Sequence, residues 1–170
     1  MMKRTFDVSP WHIVTTKLNP DDKRLQESMT SLANGNLGMR GFFEEGYSGD
    51  TLPGIYIGGV WFPDKTKVGW WKNGYPKYFG KVINAINFIK VGIKINGEVV
   101  DLAKDKVSDF NLDLDMQQAV LERAFTVEKG GAKVQISFER FVSAATKELV
   151  VQGIILKNVG SKEAKVEFSS

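Results

Sequence analysis

The sequence predicts an all-β chain folded as an antiparallel β-sandwich, and three observations carry that expectation. Residues 119–128 and 134–139 alternate apolar and polar side chains with period two. The pairs Asn34-Gly35, Asn96-Gly97 and Gly130-Gly131 sit between apolar runs, where tight hairpin turns need residues that tolerate positive φ. Helical periodicity is weak throughout, and several strands joined by short turns pack most readily as two facing sheets.

Taken in order, Trp11 to Leu18 partly alternates and carries β-branched Ile13, Val14, Thr15 and Thr16, until Asn19-Pro20-Asp21-Asp22 breaks the pattern. Ser28 to Ala33 offers at most a short turn of helix. Leu32 before Asn34-Gly35, with Leu37 and Met39 after it, predicts a hairpin with positive φ at both central positions. Gly38 and Gly41 leave room there for another backbone, and the segment carries Arg40. Gly54 to Trp61 reads as one strand, with Gly58 and Gly59 where a neighbour packs tightly. Phe88 to Ile95 runs into Asn96-Gly97 and returns as Glu98 to Leu102. Asp105 to Met116, rich in Asp and Asn, reads as a connection plus a short strand.

Ala119 to Glu128 places Leu121, Arg123, Phe125 and Val127 on one face; after Gly130-Gly131, Val134, Ile136 and Phe138 repeat the alternation. Leu149 to Leu156 is a continuous apolar run, as for a strand buried on both faces. Asn158-Val159-Gly160 closes it, and Lys165 to Ser170 begins another strand. A domain rarely stops on a strand with nothing beyond it, so the chain is expected to be a piece of a longer protein and the sandwich to be incomplete at its C-terminus.

With 170 residues the chain suits one domain, which would bury roughly 70% of its unfolded surface. No apolar run approaches the ~20 residues of a membrane span, so no membrane partner is expected. Asp7, Ser9 and Pro10 stand where a secretory signal needs an apolar core. The absence of cysteine excludes disulfides and thiolate metal sites, and the expected compartment is the cytoplasm. The net charge of +3 is dispersed; a nucleic-acid partner would call for a concentrated basic stripe.

The chemistry-bearing residues are few. Glu44 and Glu45 are adjacent acids; strand neighbours point to opposite faces, so they cannot flank one glycosidic bond, and an ion pair that holds the turn near Arg40 is the expected role. Arg40, Arg123 and Arg140 sit in β-like segments, where pairing with Glu or backbone carbonyls is the expectation and bidentate phosphate binding the alternative. His12, the sole histidine, has neither a second metal ligand nor a nucleophile elbow near it. No catalytic and no metal-binding residue is predicted. The candidate binding segment is residues 61–81, where Trp61, Phe62, Trp70, Trp71, Tyr75, Tyr78 and Phe79 interleave with Lys65, Lys67, Lys72 and Lys77. Aromatic rings of this kind stack on sugar faces or anchor a domain or subunit contact.

Several of these segments, in the same order, resemble the amino-terminal domain of glycoside hydrolase family 65. The resemblance begins at Trp11-His12-Ile13-Val14. It continues through Glu27-Ser28, Asn34-Gly35, Leu37-Gly38, Arg40-Gly41 and Glu44-Glu45. Gly54 to Val60, Ile95 to Leu102, Leu114-Asp115-Met116, Leu121-Glu122-Arg123 and Arg140 to Ser143 complete it, so that residues 11 to 158 are covered. Residues 61–81 are longer or more aromatic than the family pattern, and Asn84-Ala85-Ile86-Asn87 stands where many members carry Asn-Leu-Pro.

The resemblance implies a domain over 1–170 that belongs to a galactose-mutarotase-like super-sandwich, followed in the whole enzyme by a barrel of paired helices that carries the active site. It implies inverting phosphorolysis of an α-glucoside disaccharide. One carboxylic acid protonates the glycosidic oxygen while inorganic phosphate, the co-substrate, attacks the anomeric carbon. Maltose is the first choice, with trehalose or kojibiose phosphorolysis or a related hydrolase as alternatives. The implied partners are the chain's own C-terminal catalytic domain and a second copy, and Asn34, Gly35, Gly38, Arg40 and Gly41 are implied to be structural. Two other readings stand beside this one: a free-standing carbohydrate-binding module that uses Trp61, Trp70, Trp71 and Tyr75, and an element that mainly assembles the dimer.

Overall fold

The computed structural model describes residues 5–67 and 76–170. One layer is a six-stranded, wholly antiparallel sheet in the order β1 (Asp7–Val8), β2 (His12–Thr15), β10 (Val107–Asp115), β11 (Val120–Lys129), β12 (Ala132–Val142) and β13 (Val150–Asn158). Opposite it lie two smaller sheets. One orders β3 (Leu32–Ala33), β4 (Leu37–Met39) and β5 (Ile55–Ile57); the other orders β14 (Val166–Ser169), β8 (Gly92–Ile95) and β9 (Glu98–Val99). A two-stranded arm, β6 (Trp61–Lys65) with β7 (Tyr78–Val82), stands apart and gives no residue to the core.

The core follows from the alternation. Leu112 and Leu114 of β10, Leu121, Phe125 and Val127 of β11, and Val134, Ile136 and Phe138 of β12 point inward. They meet Leu32, Leu37, Met39, Ile55, Ile93 and Ile95 from the small sheets in one contiguous cluster. Strands β11 and β12 pair residue for residue from Val120↔Phe141 to Lys129↔Ala132. Their turn puts Gly130 and Gly131 at φ +52° and +77°, and the β8–β9 turn puts Asn96 and Gly97 at +49° and +81°. Both are the mirror-image turns whose twist suits a hairpin.

Four local expectations change. The described residues include one α-helix, α1 (Lys23–Met29), entered through a 3₁₀ turn at Pro20–Asp22 that the Asn19 side chain caps. Gly54 to Trp61 is not one strand: β5 ends at Ile57, and Gly59 at φ +79° turns the chain into the arm. Between Asp105 and Met116 lies a nine-residue strand, β10, with an irregularity between Ser108 and Asn111 and Asp109 at φ +55°. Finally, β13 is the outermost strand of its sheet among the described residues, not a doubly buried one; Ile155 is 69% exposed.

Candidate functional site

The densest chemistry lies inside the sandwich. Arg123 projects from β11 into the core, 3% exposed. Its Nη1 donates to Glu45 Oε1 at 2.8 Å, and its Nη2 donates to Glu44 Oε2 at 2.7 Å and also to Glu45 Oε2. Arg140, a diagonal neighbour on β12, lies 3.1 Å from Glu44 Oε1 and donates to the carbonyls of Phe42 and Arg40, each at 3.0 Å. Glu44 therefore bridges both guanidinium groups, whereas Glu45 has Arg123 alone. The Arg123 guanidinium also lies 4.0 Å from the Phe43 ring centroid and 4.3 Å from that of Phe138, where aromatic faces favour a cation.

This arrangement corrects the reasoning about the two acids. Residues 44 and 45 form a bend, not a strand, so both carboxylates reach the same guanidinium. Their environments diverge. Burial pushes both carboxyls up, but Arg140 and Arg123 override it at Glu44 and hold it below the ordinary carboxylate value. At Glu45 burial wins over the single guanidinium, and the neighbouring Glu44 charge adds to the rise. A split pair of acids is the pattern of general acid–base chemistry. Here, however, both are buried beneath the sheet and tied to arginines, which makes them a fastening between the layers.

A second buried pair anchors α1. Lys23 and Glu27, one helical turn apart, meet at 2.7 Å. The Lys23 ammonium sits 3.7 Å from the Phe43 ring centroid. Desolvation lowers its pKa to about 8 against the pull of Glu27. Glu27 also accepts from the Leu52 amide at 2.8 Å and from the Thr51 hydroxyl. Sequence reasoning missed this pair, because α1 buries its polar side chains and exposes Leu25 and Met29, the reverse of an amphipathic helix. The i,i+4 spacing of Lys23 and Glu27 was the available signal.

The Asn34-Gly35 segment works differently from a two-residue turn with both φ positive. Only Gly35 has positive φ, +85°. Asn34 turns the chain through its side chain: Oδ1 accepts from the Asn36 and Leu37 amides, and Nδ2 donates to the carbonyls of Ser143 and Lys147, at the far end of β12. Gly41 packs where a Cβ would lie 1.9 Å from the Thr30 hydroxyl. At Gly38 a Cβ would only touch Ala33 at 3.8 Å, so no close backbone approach requires that glycine. Arg40 donates to the carbonyls of Leu52 and Arg24.

The exposed chemistry lies on the arm. Trp61 is 58% exposed, and Phe62 and Tyr78 are similarly open. Trp61, Pro63, Tyr78, Phe79 and Gly80 line a depression of about 570 Å³. Trp61 also walls a groove of about 370 Å³ floored by Gly35, Gly38, Gly58 and Gly59. Trp70, Trp71 and Tyr75 lie outside the described residues. His12 pairs with Asp113 at 3.0 Å. Among the described residues no group of three His, Cys, Asp or Glu side chains could hold a metal ion.

The fold and these contacts define a class: an all-β sandwich whose buried ionic groups hold its two layers together and whose open surface is aromatic. The comparisons place that class in a family. The glycosyl hydrolase family 65, N-terminal domain, matches residues 13–170, and the chain belongs to this family. It is 53% identical to maltose phosphorylase of Bacillus subtilis over 86% of this chain and 19% of that protein. It is 30% identical to α,α-trehalose phosphorylase of Geobacillus stearothermophilus over 88% of this chain and 20% of that one. Among solved structures, a putative kojibiose phosphorylase from the human microbiome superposes with a TM-score of 0.86 at 30% identity, covering 99% of this chain and 22% of its own. The chain thus spans about a fifth of the length of these relatives.

Proposed function

We propose that this chain is the non-catalytic amino-terminal sandwich of a cytoplasmic, homodimeric disaccharide phosphorylase, and that the disaccharide is maltose. The observation that carries the choice of sugar is the 53% identity to a maltose phosphorylase, against 30% for a trehalose phosphorylase. In this reading a following helical domain supplies the general acid, inorganic phosphate attacks the anomeric carbon with inversion, and the products are glucose and β-glucose 1-phosphate. The sandwich supports that domain. Its own acids support the reading by their placement: Glu44, Glu45 and Glu27 are all buried and ion-paired.

The test is a chimera in which this chain replaces the matching segment of the Bacillus subtilis maltose phosphorylase. The chimera is expected to release glucose from maltose and phosphate, and this chain alone to release none. An insoluble or inactive chimera, or turnover by the isolated chain, refutes the proposal. The exposure of Trp61 favours a second reading, direct sugar contact at the arm. Saturable quenching of tryptophan fluorescence by maltose, lost in Trp61→Ala, would establish it.

A further inference from the structure

The outer face of the six-stranded sheet carries a feature that the core and the arm do not explain. Register places Val14, Asp113, Glu122, Glu139 and Gly153 side by side across β2, β10, β11, β12 and β13. Three carboxylates therefore stand in adjacent positions of one row, where like charges directly opposite each other repel. Asp113 hydrogen-bonds with the His12 ring at 3.0 Å. Glu122 and Glu139 have no hydrogen-bonding or ion-pairing partner among the described residues. The flanking rows are Asp115, Val120, Phe141 and Val151 on one side and Asn111, Ala124, Ser137 and Ile155 on the other, so each is apolar toward the β13 margin. Glu122, Glu139, Gly153, Ala124 and Ile155, with Asn111 and Ser137, line a depression of about 240 Å³.

The arm presents the opposite character. Lys65, Lys67 and Lys77 are exposed and have no carboxylate partner among the described residues, whereas Lys81 pairs with Asp64. Trp61 and Tyr78 stand open on the same face of the arm as Lys65, and Phe62 on the opposite face. The dimensions match as well. The carboxylate row crosses three strands, about 10 Å at the spacing of a sheet, and a five-residue arm strand extends about 13 Å.

We propose that the β6–β7 arm of one copy lies across the acidic outer face of the large sheet of a second copy, lysines over Glu122 and Glu139 and the Trp61 and Tyr78 rings over the apolar positions Phe141, Val151 and Ile155. This rests on the homodimer in the reading above. Each copy gives its arm and receives the other's, so the contact closes with twofold symmetry and leaves no surface for chain growth. Two acidic faces could not meet each other, which is why the occupant is the basic arm.

Sedimentation equilibrium of the whole chain tests this with two charge variants, Glu122→Lys/Glu139→Lys and Lys65→Glu/Lys67→Glu/Lys77→Glu. All these side chains are exposed, and circular dichroism checks that each variant folds. The wild type is expected to dimerise, and to do so more weakly in 1 M salt, where the screening length falls to about 3 Å. Each variant alone is expected to lose affinity by about tenfold or more. An equimolar mixture is expected to recover the dimer, because each variant then meets the opposite charge. Glu122→Gln/Glu139→Gln provides a milder second variant that is expected to weaken the dimer. A wild type that stays monomeric, a dimer indifferent to the charge or glutamine variants, or a mixture that fails to associate overturns the proposal. None of these outcomes touches maltose phosphorolysis by the chimera, so the two readings fail separately.

Discussion

Replacing Arg123 with Met tests the ionic fastening most directly. The substitution removes three charge-assisted hydrogen bonds, two to Glu45 and one to Glu44. Glu44 keeps Arg140 at 3.1 Å, so the loss falls on Glu45, which is left as a buried carboxylate without a cation. Breaking one side of a buried pair costs about 3–5 kcal/mol. For a domain of this size each kcal/mol shifts Tm by roughly 2–4 °C, so thermal unfolding followed by circular dichroism at pH 7 should show a drop of about 6–20 °C. The pH dependence has a definite sign. Without Arg123 the folded-state pKa of Glu45, already raised by burial, climbs further above the unfolded value. The penalty is fully present above that raised value and shrinks as the pH falls toward the ordinary carboxylate range. Adding Glu45→Met to Arg123→Met should recover most of the loss, because an apolar pair of similar volume replaces an ionic one at little net penalty. A drop below about 2 °C for the single variant, corresponding to less than 1 kcal/mol, refutes the reasoning. So does a double variant less stable than the single one.

Two further predictions concern the same half of the molecule. Gly41→Ala drives a Cβ to within 1.9 Å of the Thr30 hydroxyl and should cost more than about 2 kcal/mol, whereas Gly38→Ala should stay within about 1 kcal/mol; equal urea midpoints for the two would contradict the packing described. Lys23 has a folded-state pKa of about 8, below its unfolded value of 10.5, so the folded state releases the proton first. Stability should therefore rise as the pH climbs from about 8 toward 10.5. Urea titrations between pH 8 and 9.5 should show that upward slope in the wild type and lose it in Lys23→Met.

What could be read from the sequence was whatever rests on local pattern. Period-two alternation placed Arg123 with Leu121, Phe125 and Val127, and the structure buries all four on one face. The Asn96-Gly97 and Gly130-Gly131 turns were legible because positive φ at both positions narrows the choice of residue. What stayed hidden depends on distant partners. Helix α1 is seven residues long, too short to hold itself, and the Lys23–Glu27 pair and the contacts of Glu27 to residues 51 and 52 fix it in place. The convergence of Glu44 and Glu45 on one guanidinium needed a bend that no periodicity announces. The apolar run in β13 signalled burial on two faces, yet among the described residues β13 forms the margin of its sheet, and the run itself carries no information about which neighbours lie within the chain.

The pairing of β11 with β12 sets Arg123 opposite Phe138 and Arg140 opposite Leu121, with both guanidinium groups under the sheet. A slip of either strand by a single position would swing its arginine out into water and strand a glutamate in the apolar interior. The ionic cluster thus acts as a proofreader of alignment: it adds little to the folded state over a greasy substitute, but heavily penalises every misthreaded hairpin.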